Sequence, residues 1–434
     1  MHSHTAAMTA SPPPAAARLF APEPAEPAPR RSLRIAVVTE TWPPEVNGVA
    51  TTIAQFVSGL VGRGHTVQLV RPRQAGDEAL DDAIPDRDAL QEQVLVGGLP
   101  IPRYPHLKLG LPSGRELARR WTQRRPDLVH LVTEGPLGWS ALHAARRLRL
   151  PISSDFRTNF HAYSRHYGIG WLERPIVGAL RHFHNRTLCT MVPTEALRRD
   201  LTAQGFERLR VVARGVDTAL FDPRKRSEEL RRSWGAGPTT PVLVHVGRLA
   251  REKNLGVLLS AYDTMRQVRP ELRLVLVGDG PARAEIAARC PQAVMAGLRG
   301  GEALAAYYAS ADMFLFPSLT ETYGNVTPEA MASGLPVLAY DYAAASQLIE
   351  HRRNGLLAAF DNEAAFVRAA LRLVADPAGA AAMGRAARAS AEAQSWERVV
   401  GQLEAVFLAT AAGAPVDSAR DRIGAAPYSP ARRA

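Results

Sequence analysis

Short runs of apolar, mostly β-branched residues recur along the chain, and each is followed by a longer stretch with helical periodicity. In the first half these runs are "LRIAVVTE" at 33–40, "GHTVQLVRP" at 64–72, "PDLVHLVT" at 126–133 and "PISSDF" at 151–156. Strands that are buried on both faces of a sheet form such continuous apolar runs. Because strands and helices alternate, the sequence predicts an α/β fold with a parallel, doubly wound sheet.

The same pattern starts again after "RLRVVARGVDTALFDP", a segment typical of a connecting strand and linker. Further apolar runs follow at "PVLVHVGRL", "LRLVLVGDG", "AVMAGL", "DMFLFPS" and "LPVLAYD". A chain of 434 residues is too long for one compact core. We therefore expect two Rossmann-like domains, at 33–212 and 213–394, that face each other across a cleft. An amphipathic stretch at 395–412 is expected to form a helix that crosses back over the domain junction.

The two ends of the chain differ in composition from this ordered part. Residues 1–32 are rich in Pro and Ala and lack the apolar core of a signal peptide, so we expect a disordered leader. The tail at 413–434 is interpreted in the same way. No apolar run approaches the roughly 18 residues that a membrane-spanning helix needs. Two isolated cysteines, Cys189 and Cys290, indicate neither a disulfide nor a zinc site and favour the cytoplasm.

The net charge of +11 is concentrated in the first half of the sequence. Residues 33–210 contain 24 Lys and Arg against 17 Asp and Glu, whereas residues 220–412 contain 21 against 20. This excess indicates an anionic partner for the N-terminal half. Nucleic acid is not expected, because the sequence contains no aromatic-interleaved basic repeat and no known binding motif.

Two basic clusters with apolar neighbours favour an anionic membrane surface as that partner, at the inner face of the cytoplasmic membrane. They are "RELARRWTQRRP" at 115–126 and "RYPHLKLGLP" at 103–112. Arginines can pair with lipid phosphates while Trp121 and Leu111 lie at the interface, as in a peripheral protein. An ordinary solvated helix with Trp121 packed inward is the alternative.

Two glutamates, Glu321 and Glu329, frame the segment "TETYGNVTPEAMASG" at 320–334, which follows the run "DMFLFPS". In open parallel sheets, ligands bind beyond the carboxyl ends of the strands. Helix-starting residues and Gly324 predict backbone N–H groups there that a phosphate can approach closely. Carboxylates do not bind phosphate, but they accept hydrogen bonds from the hydroxyls of a sugar. A nucleotide sugar has both groups, although Glu329 could also serve only the helix dipole.

A pair of cations follows an earlier predicted strand. The segment "HVGRLAREKNL" at 245–255 places Arg248 and Lys253 five residues apart, just beyond the strand end. Two such cations can hold a pyrophosphate, although an isolated Arg or Lys is more often a solvated surface charge. Lys253 is one of three lysines in the chain, which favours a function for it. The Gly-rich turn "VGDGP" at 277–281 is weak support on its own.

Together these segments resemble the C-terminal domain of the retaining glycosyltransferases of family four, which have the GT-B fold. The resembling segments are "VGRLAREKNL", "LVGDGP" and "FPSLTETYGNVTPEAMASGLPVLAYD". The segments "RIAVVTETWPPEVNGVATTI" and "RGVDTALF" resemble the N-terminal domain and linker of the same family. The resemblance covers 33–410. Its most specific motif is the pair of glutamates eight residues apart, with an Arg and a Lys upstream.

The resemblance implies a role for each of these residues. Arg248 and Lys253 would hold the diphosphate of a nucleotide-sugar donor, Glu329 the ribose and Glu321 the transferred sugar. Gly48 would face the phosphates from the N-terminal domain. The donor site would also include Gly324, Asn325 and Val326. Neither a metal ion nor a cofactor is expected, because the cations and a helix dipole would stabilise the leaving diphosphate.

Two features depart from the family pattern or compete with it. Many relatives carry Phe-His-Thr where this chain has "DFRTNFHAY", so the histidine position is Arg157, and His161 lies four residues later. Either Arg157 stabilises the leaving diphosphate or His161 reaches the reacting sugar; the role of Asp155 stays open. An Asp-x-Asp pattern, which binds a metal in the other large glycosyltransferase fold, occurs at Asp86 and Asp88. Because it lies in a polar loop, we interpret it as chance.

The sequence therefore favours a retaining hexosyltransferase with a nucleotide-sugar donor and a lipid or glycan hydroxyl as acceptor. The resemblance is strongest to GDP-mannose-dependent α-mannosyltransferases and to sulfoquinovosyl or glucosyl diacylglycerol synthases. Transfer of mannose from GDP-mannose is the preferred hypothesis, and transfer from a UDP-sugar to diacylglycerol is the alternative. A nucleotide-sugar epimerase is the competing enzyme class, and it would form its product without an acceptor.

Overall fold

A computed structural model of the protein describes residues 31–45, 47–74, 92–101, 104–157 and 173–413. The predicted leader and tail therefore lie almost entirely outside the described residues, as do His161 and the Asp86-Arg87-Asp88 pattern. Two large parallel sheets, one in each half of the described chain, confirm the predicted α/β architecture with two Rossmann-like domains.

The N-terminal sheet has seven parallel strands in the order β3-β2-β1-β6-β7-β8-β9. The interior strand β1 is apolar and almost wholly buried, because helices cover both faces of the sheet. The strands are β1 (Arg34–Val38), β2 (Thr66–Pro72), β3 (Glu92–Val96), β6 (Leu128–Leu131), β7 (Ile152–Asp155), β8 (Cys189–Val192) and β9 (Leu209–Val211). Between them, β4 (Gly98–Ile101) and β5 (Tyr104–Gly110) form an antiparallel hairpin.

Within the described ranges, five helices lie between these strands, and most begin at a residue that suits a helix start. Asn47, for example, caps the first helix by accepting from the backbone N–H groups of Val49 and Ala50. The helices are α1 (Gly48–Gly62), α2 (Gly114–Gln123), α3 (Pro136–Arg147), α4 (Glu173–His184) and α5 (Glu195–Ala203).

The C-terminal sheet has six parallel strands in the order β12-β11-β10-β13-β14-β15. They are β10 (Val242–Val246), β11 (Arg273–Val277), β12 (Val294–Gly297), β13 (Met313–Phe316), β14 (Val337–Tyr340) and β15 (Gly355–Ala358). The helices around it are α6 (Glu228–Ser233), α7 (Leu255–Val268), α8 (Arg283–Arg289), α9 (Gly301–Ala309), α10 (Val326–Ala332), α11 (Ala343–Leu348), α12 (Glu363–Ala375) and α13 (Pro377–Glu392).

The last helix, α14 (Trp396–Ala411), returns to the N-terminal sheet as predicted. Its buried residues Val400, Leu403 and Phe407 share one apolar core with Phe56 of α1 and with β1. The entry to this helix is tied to the linker, because the backbone N–H of Val216 donates to the carbonyl of Gln394 at 2.9 Å. The chain therefore crosses between the sheets twice, at 212–217 and at 392–396.

The expected position of Trp121 at a membrane interface is wrong. Its side chain is 0% exposed in the core beneath α2, and its Nε1 donates a hydrogen bond to Oε1 of Gln68 at 2.8 Å. The buried ring supplies apolar area while its polar atom is satisfied inside the domain. Trp121 is thus packed inward, as the alternative has it, whereas the membrane surface itself stays a prediction. Leu111, by contrast, is 41% exposed.

Candidate active site

Arg248 and Lys253 lie in the loop that follows β10, and a close approach of two backbones fixes this loop. A Cβ atom at Gly278 would come within 2.0 Å of the carbonyl oxygen of Gly247, and Gly278 has a φ of 134°. The backbone N–H of Leu249 donates to the carbonyl of Asp279 at 2.9 Å. The glycines of the "VGDGP" turn therefore allow its backbone to pack closely against the loop that carries Arg248 and Lys253.

Lys253 and Glu321, which come from different loops of the C-terminal domain, form a short ion pair. Both side chains are 15% exposed. The same Glu321 oxygen accepts a hydrogen bond from the Ser318 hydroxyl at 2.7 Å, and the Lys253 ammonium lies 5.5 Å from the centre of the Phe316 ring. The sugar ligand and the phosphate ligand predicted from sequence are therefore neighbours at the end of β13.

Arg248 pairs with Glu252 in the same loop, and its side chain is 42% exposed. The carboxylate that it contacts is mostly buried. Arg248 is thus the more exposed of the two cations, and Lys253 is the more buried. The structure brings the two predicted cations to one loop at one edge of the sheet.

Glu329 lies on α10 with partial exposure, and it accepts a hydrogen bond from the Tyr308 hydroxyl at 3.1 Å. Burial raises the pKa of Glu329 to about 7, although the hydrogen bond from Tyr308 opposes this shift. No cation among the described residues forms an ion pair with it. A carboxylate with one neutral donor keeps lone pairs for further hydroxyl groups.

The residues that open α10 lie between Glu321 and Glu329 in the sequence. Gly324 has a φ of 91°, a conformation that favours glycine. Val326 is the first residue of the helix and is partly exposed. The side chain of Asn325 does not cap the helix; its Oδ1 accepts a hydrogen bond from Nη1 of Arg214 at 3.0 Å.

Gly48 contributes to this region from the N-terminal domain. A Cβ atom there would lie 3.5 Å from Nδ2 of Asn325 and 2.6 Å from Nη1 of Arg214. The first turn of α1 therefore meets the loop before α10, so the predicted residues from the two domains come together. A larger residue at position 48 would displace the Arg214 side chain.

Arg157 lies deeper in the N-terminal domain than the other predicted residues. It is 2% exposed, and its Nε donates to Oδ2 of Asp155 at 2.8 Å. Its guanidinium also lies 4.9 Å from the centre of the Phe56 ring. Asp155, whose role the sequence left open, is fully buried with Arg157 and His130 as its partners. These two partners lower the pKa of Asp155 to about 2 despite its burial.

Sequence reasoning missed three residues near these edges. Arg214 lies in the "RGVD" segment, and Tyr308 in the apolar stretch of α9. Glu40 follows β1 and accepts from the backbone N–H of Leu137 at 3.0 Å, and burial raises its pKa to about 7. Only Arg214 carried a signal, because it opens the segment "RGVDTALF" that resembles the linker of the family.

Two models of glycosyltransferase families match the sequence. Residues 46–220 match the model described as Glycosyltransferase Family 4, and residues 240–376 match Glycosyl transferases group 1. The chain is 35% identical over 385 residues to a GDP-mannose-dependent alpha-mannosyltransferase of Mycolicibacterium smegmatis, which covers 86% of this chain and 98% of that protein. The chain belongs to glycosyltransferase family 4.

Other relatives and solved structures agree with this assignment. Sulfoquinovosyl transferase SQD2 of Arabidopsis thaliana is 34% identical over 277 residues, which cover 62% of this chain and 54% of that protein. The structure resembles Anabaena Alr3699/HepE in complex with UDP, with a TM-score of 0.69 and 16% identity over 87% of this chain and all of that one. Sucrose-phosphate synthase from Thermosynechococcus elongatus gives the same TM-score at 18% identity, over 88% of this chain and all of that one. These likenesses confirm the GT-B fold.

The arrangement in this family-four glycosyltransferase combines two chemistries at one sheet edge. Lys253 and Arg248 offer positive charge to an anion, whereas Glu321 and Glu329 offer hydrogen-bond acceptors to hydroxyl groups. In the described part of the chain, no three His, Cys, Asp or Glu side chains converge as a metal site would require. None of the helices in that part is long and apolar enough to cross a membrane.

Proposed function

We propose that this glycosyltransferase moves mannose from GDP-mannose to a hydroxyl group of a lipid or glycan, without a metal ion and with retention of the α configuration. The observation that carries the proposal is the cluster of Lys253, Glu321 and Glu329 at one sheet edge. The choice of mannose is supported by the GDP-mannose-dependent alpha-mannosyltransferases of two mycobacterial species, at 35% and 37% identity.

The proposed donor lies along this edge with its diphosphate at the cations. Lys253 leaves or shares its contact with Glu321 when the diphosphate binds, which frees that carboxylate for the sugar hydroxyls. Glu329 then accepts from the ribose hydroxyls in its ionised form. Gly48 and the loop at Gly324 allow the phosphates to approach the backbone from both domains.

Retention follows in this proposal from attack on the same face that the diphosphate leaves. Two described carboxylates at the opposing edge already have other partners: Asp155 pairs with Arg157, and Glu40 caps the backbone of α3. A covalent sugar intermediate on either of them would require these contacts to break. The leaving phosphate oxygen would instead take the proton of the acceptor hydroxyl as the new bond forms.

Metal independence rests on the cations of the protein itself. The developing charge on the leaving diphosphate is stabilised by Lys253 and Arg248, which are already positioned before the donor binds. Arg157 or His161 remains a candidate for a further contact from the N-terminal domain. Arg157 would have to share its charge with Asp155 to serve in this way.

Transfer from a UDP-sugar to diacylglycerol is the second candidate function. Two relatives favour it: SQD2, and an alpha-monoglucosyldiacylglycerol synthase of Streptococcus pneumoniae at 26% identity over 345 residues. The cluster of Lys253, Glu321 and Glu329 suits both functions, because its residues would bind the diphosphate, ribose and sugar of the donor and not the base.

A nucleotide screen followed by a transfer assay tests the proposal. We expect GDP to raise the melting temperature more than UDP, and GDP-mannose to be consumed only when an acceptor is present. Activity should persist in excess EDTA, and proton NMR of the product should show an α linkage. Preference for UDP would favour the second function. A β product would contradict retention, and an epimer formed without acceptor would favour an epimerase.

A further inference from the structure

Arg214 lies in the linker between the two sheets and contacts both domains. Its Nη1 donates to Oδ1 of Asn325 at 3.0 Å, and its backbone carbonyl accepts from the Tyr323 hydroxyl at 3.1 Å. On the other side, the same Nη1 abuts Gly48, the first residue of α1, where a Cβ atom would come within 2.6 Å. The guanidinium therefore lies where the edges of the two domains meet.

The charge of Arg214 is buried, and among the described residues no carboxylate forms an ion pair with it. The residue is 5% exposed, and its Nε has no hydrogen-bond partner in the described part of the chain. Its Nη1 bonds only to a neutral amide oxygen. Burial, followed by the nearby charge of Arg157, lowers the pKa of Arg214 to about 10. A buried, unpaired cation is costly, so this one calls for an anion.

Two other buried arginines differ from Arg214 because each pairs with a carboxylate, although each also has one nitrogen without a hydrogen-bond partner among the described residues. Arg231 is fully buried and donates to Oδ2 of Asp312 at 3.0 Å. Arg157 donates to Asp155 at 2.8 Å. Arg214 has no such ion-pair partner. Arg157 and the N-terminal end of α1, a helix of 15 residues, add positive potential around it, which the more distant Asp155 and Glu321 offset only in part.

We infer that Arg214 binds the diphosphate of the donor, as a further cation that the linker supplies at the meeting point of the two domains. The inference rests on the proposed function. Nε and Nη2 of a guanidinium can donate in parallel to phosphate oxygens, which suits the unpartnered Nε and leaves Nη1 on Asn325. The neutral hydrogen bond to Asn325 holds the side chain in this position before the anion arrives.

Calorimetric titrations with a nucleotide series test this inference on the full chain. Arg214→Gln, Arg214→Lys and the wild type are titrated with GDP, GMP and guanosine, or with the uridine series if UDP binds better. We expect Arg214→Gln to weaken the diphosphate roughly 10- to 100-fold, the monophosphate less, and the nucleoside not at all. Lys, which keeps the charge without the guanidinium fork, should recover part of the loss.

Arg388→Gln is the matched control, because Arg388 also joins the linker to the C-terminal domain. Its Nη1 donates to the carbonyls of Thr218, Phe221 and Ala332 at 2.7 to 3.0 Å. The control should lower the melting temperature without changing the ratio of GDP to guanosine affinity. An unchanged ratio in Arg214→Gln, or in Arg214→Lys if the first variant does not fold, would overturn the inference alone. Failure of the wild type to bind any of the nucleotides would instead overturn the proposed function.

Discussion

The two sheet edges that meet in this enzyme treat their charged groups differently. At the C-terminal edge, Lys253 and Glu321 pair with each other while retaining some exposure, and Glu329 has a single neutral donor. At the N-terminal edge, Arg157 and Asp155 are buried and form an ion pair with each other, and His130 lies beside the same carboxylate oxygen. The first arrangement can exchange its partners for a ligand at small cost. The second cannot without leaving a buried charge unpaired. We therefore propose that the first edge binds the donor and that the second stabilises its domain.

The largest effect should come from breaking the buried pair. Asp155→Ala leaves the charge of Arg157 buried and unpaired, which costs about 3–5 kcal/mol of unfolding free energy. Chemical denaturation monitored by circular dichroism measures this loss. The double variant Asp155→Ala, Arg157→Met is the control, because it removes both charges and should recover much of the stability. A single variant as stable as the wild type would contradict the buried pairing.

Lys253→Ala should show the opposite behaviour, with lost activity and retained stability. Removing one preorganised electrostatic contact lowers turnover by roughly 10²–10³-fold. The denaturation midpoint should change little, because the pair with Glu321 is partly exposed. Arg269→Ala is a matched control: Arg269 pairs with Glu271 on the surface of the same domain. Turnover near the wild-type value in Lys253→Ala would remove the basis of the donor-site assignment.

Glu40 lies at the N-terminal edge and Glu329 at the C-terminal edge, and burial raises the pKa of each to about 7. Replacing each of them compares the two edges more finely. A carboxyl whose folded pKa is raised favours the folded state while protonated. Its contribution is complete below pH about 4.5 and is lost as the pH rises through 7. Glu40→Gln or Glu329→Gln should therefore gain stability relative to the wild type at pH 8, by roughly 1–3 kcal/mol, and less at pH 5.

The two glutamates should differ in nucleotide binding. If ionised Glu329 accepts from ribose, the affinity for GDP rises as the pH increases through 7, and Glu329→Gln flattens this profile. Glu40→Gln should keep the pH profile of the wild type, because that carboxyl bonds the backbone of α3. Titrations between pH 6 and 8 measure both. Identical profiles for the two variants would show that Glu329 is only a buried helix residue.

The sequence predicts the features that depend on local patterns, but not the contacts between distant residues. Both sheets and the returning helix were predictable because strand burial and helix periodicity are local signals. Arg248, Lys253, Glu321 and Glu329 were predictable because the family motif spaces them within two loops. The pairing of Asp155 with Arg157 and His130 was not, since it depends on the register of neighbouring strands. Tyr308 lies 21 residues from Glu329 and carries no local mark of its role.

The structure reduces the contribution to membrane binding that we expect from the basic clusters of the N-terminal domain. On α2, Arg119 and Arg120 pair with Glu116, and Arg120 also pairs with Glu92. Arg125 donates to the carbonyl of Leu148 at 3.0 Å. These arginines are therefore less available to lipid phosphates than their number indicates. The apolar contribution shifts from Trp121 to the β4–β5 hairpin and the residue after it, where the exposed side chains are Leu99, Leu109 and Leu111.

Flotation with liposomes measures how much of this surface remains effective. A free cation near an anionic leaflet contributes about 1 kcal/mol, so paired arginines should contribute less. We expect the combined Arg→Ser variant at 119, 120, 124 and 125 to reduce binding to anionic vesicles by about tenfold or less, in a salt-dependent manner. Leu99→Ser with Leu111→Ser should reduce binding independently of salt. The control exchanges two exposed arginines of the C-terminal domain, Arg289 and Arg372, for Ser. If the wild type does not float at low salt, the N-terminal domain has no affinity for a membrane, and the acceptor must come from solution.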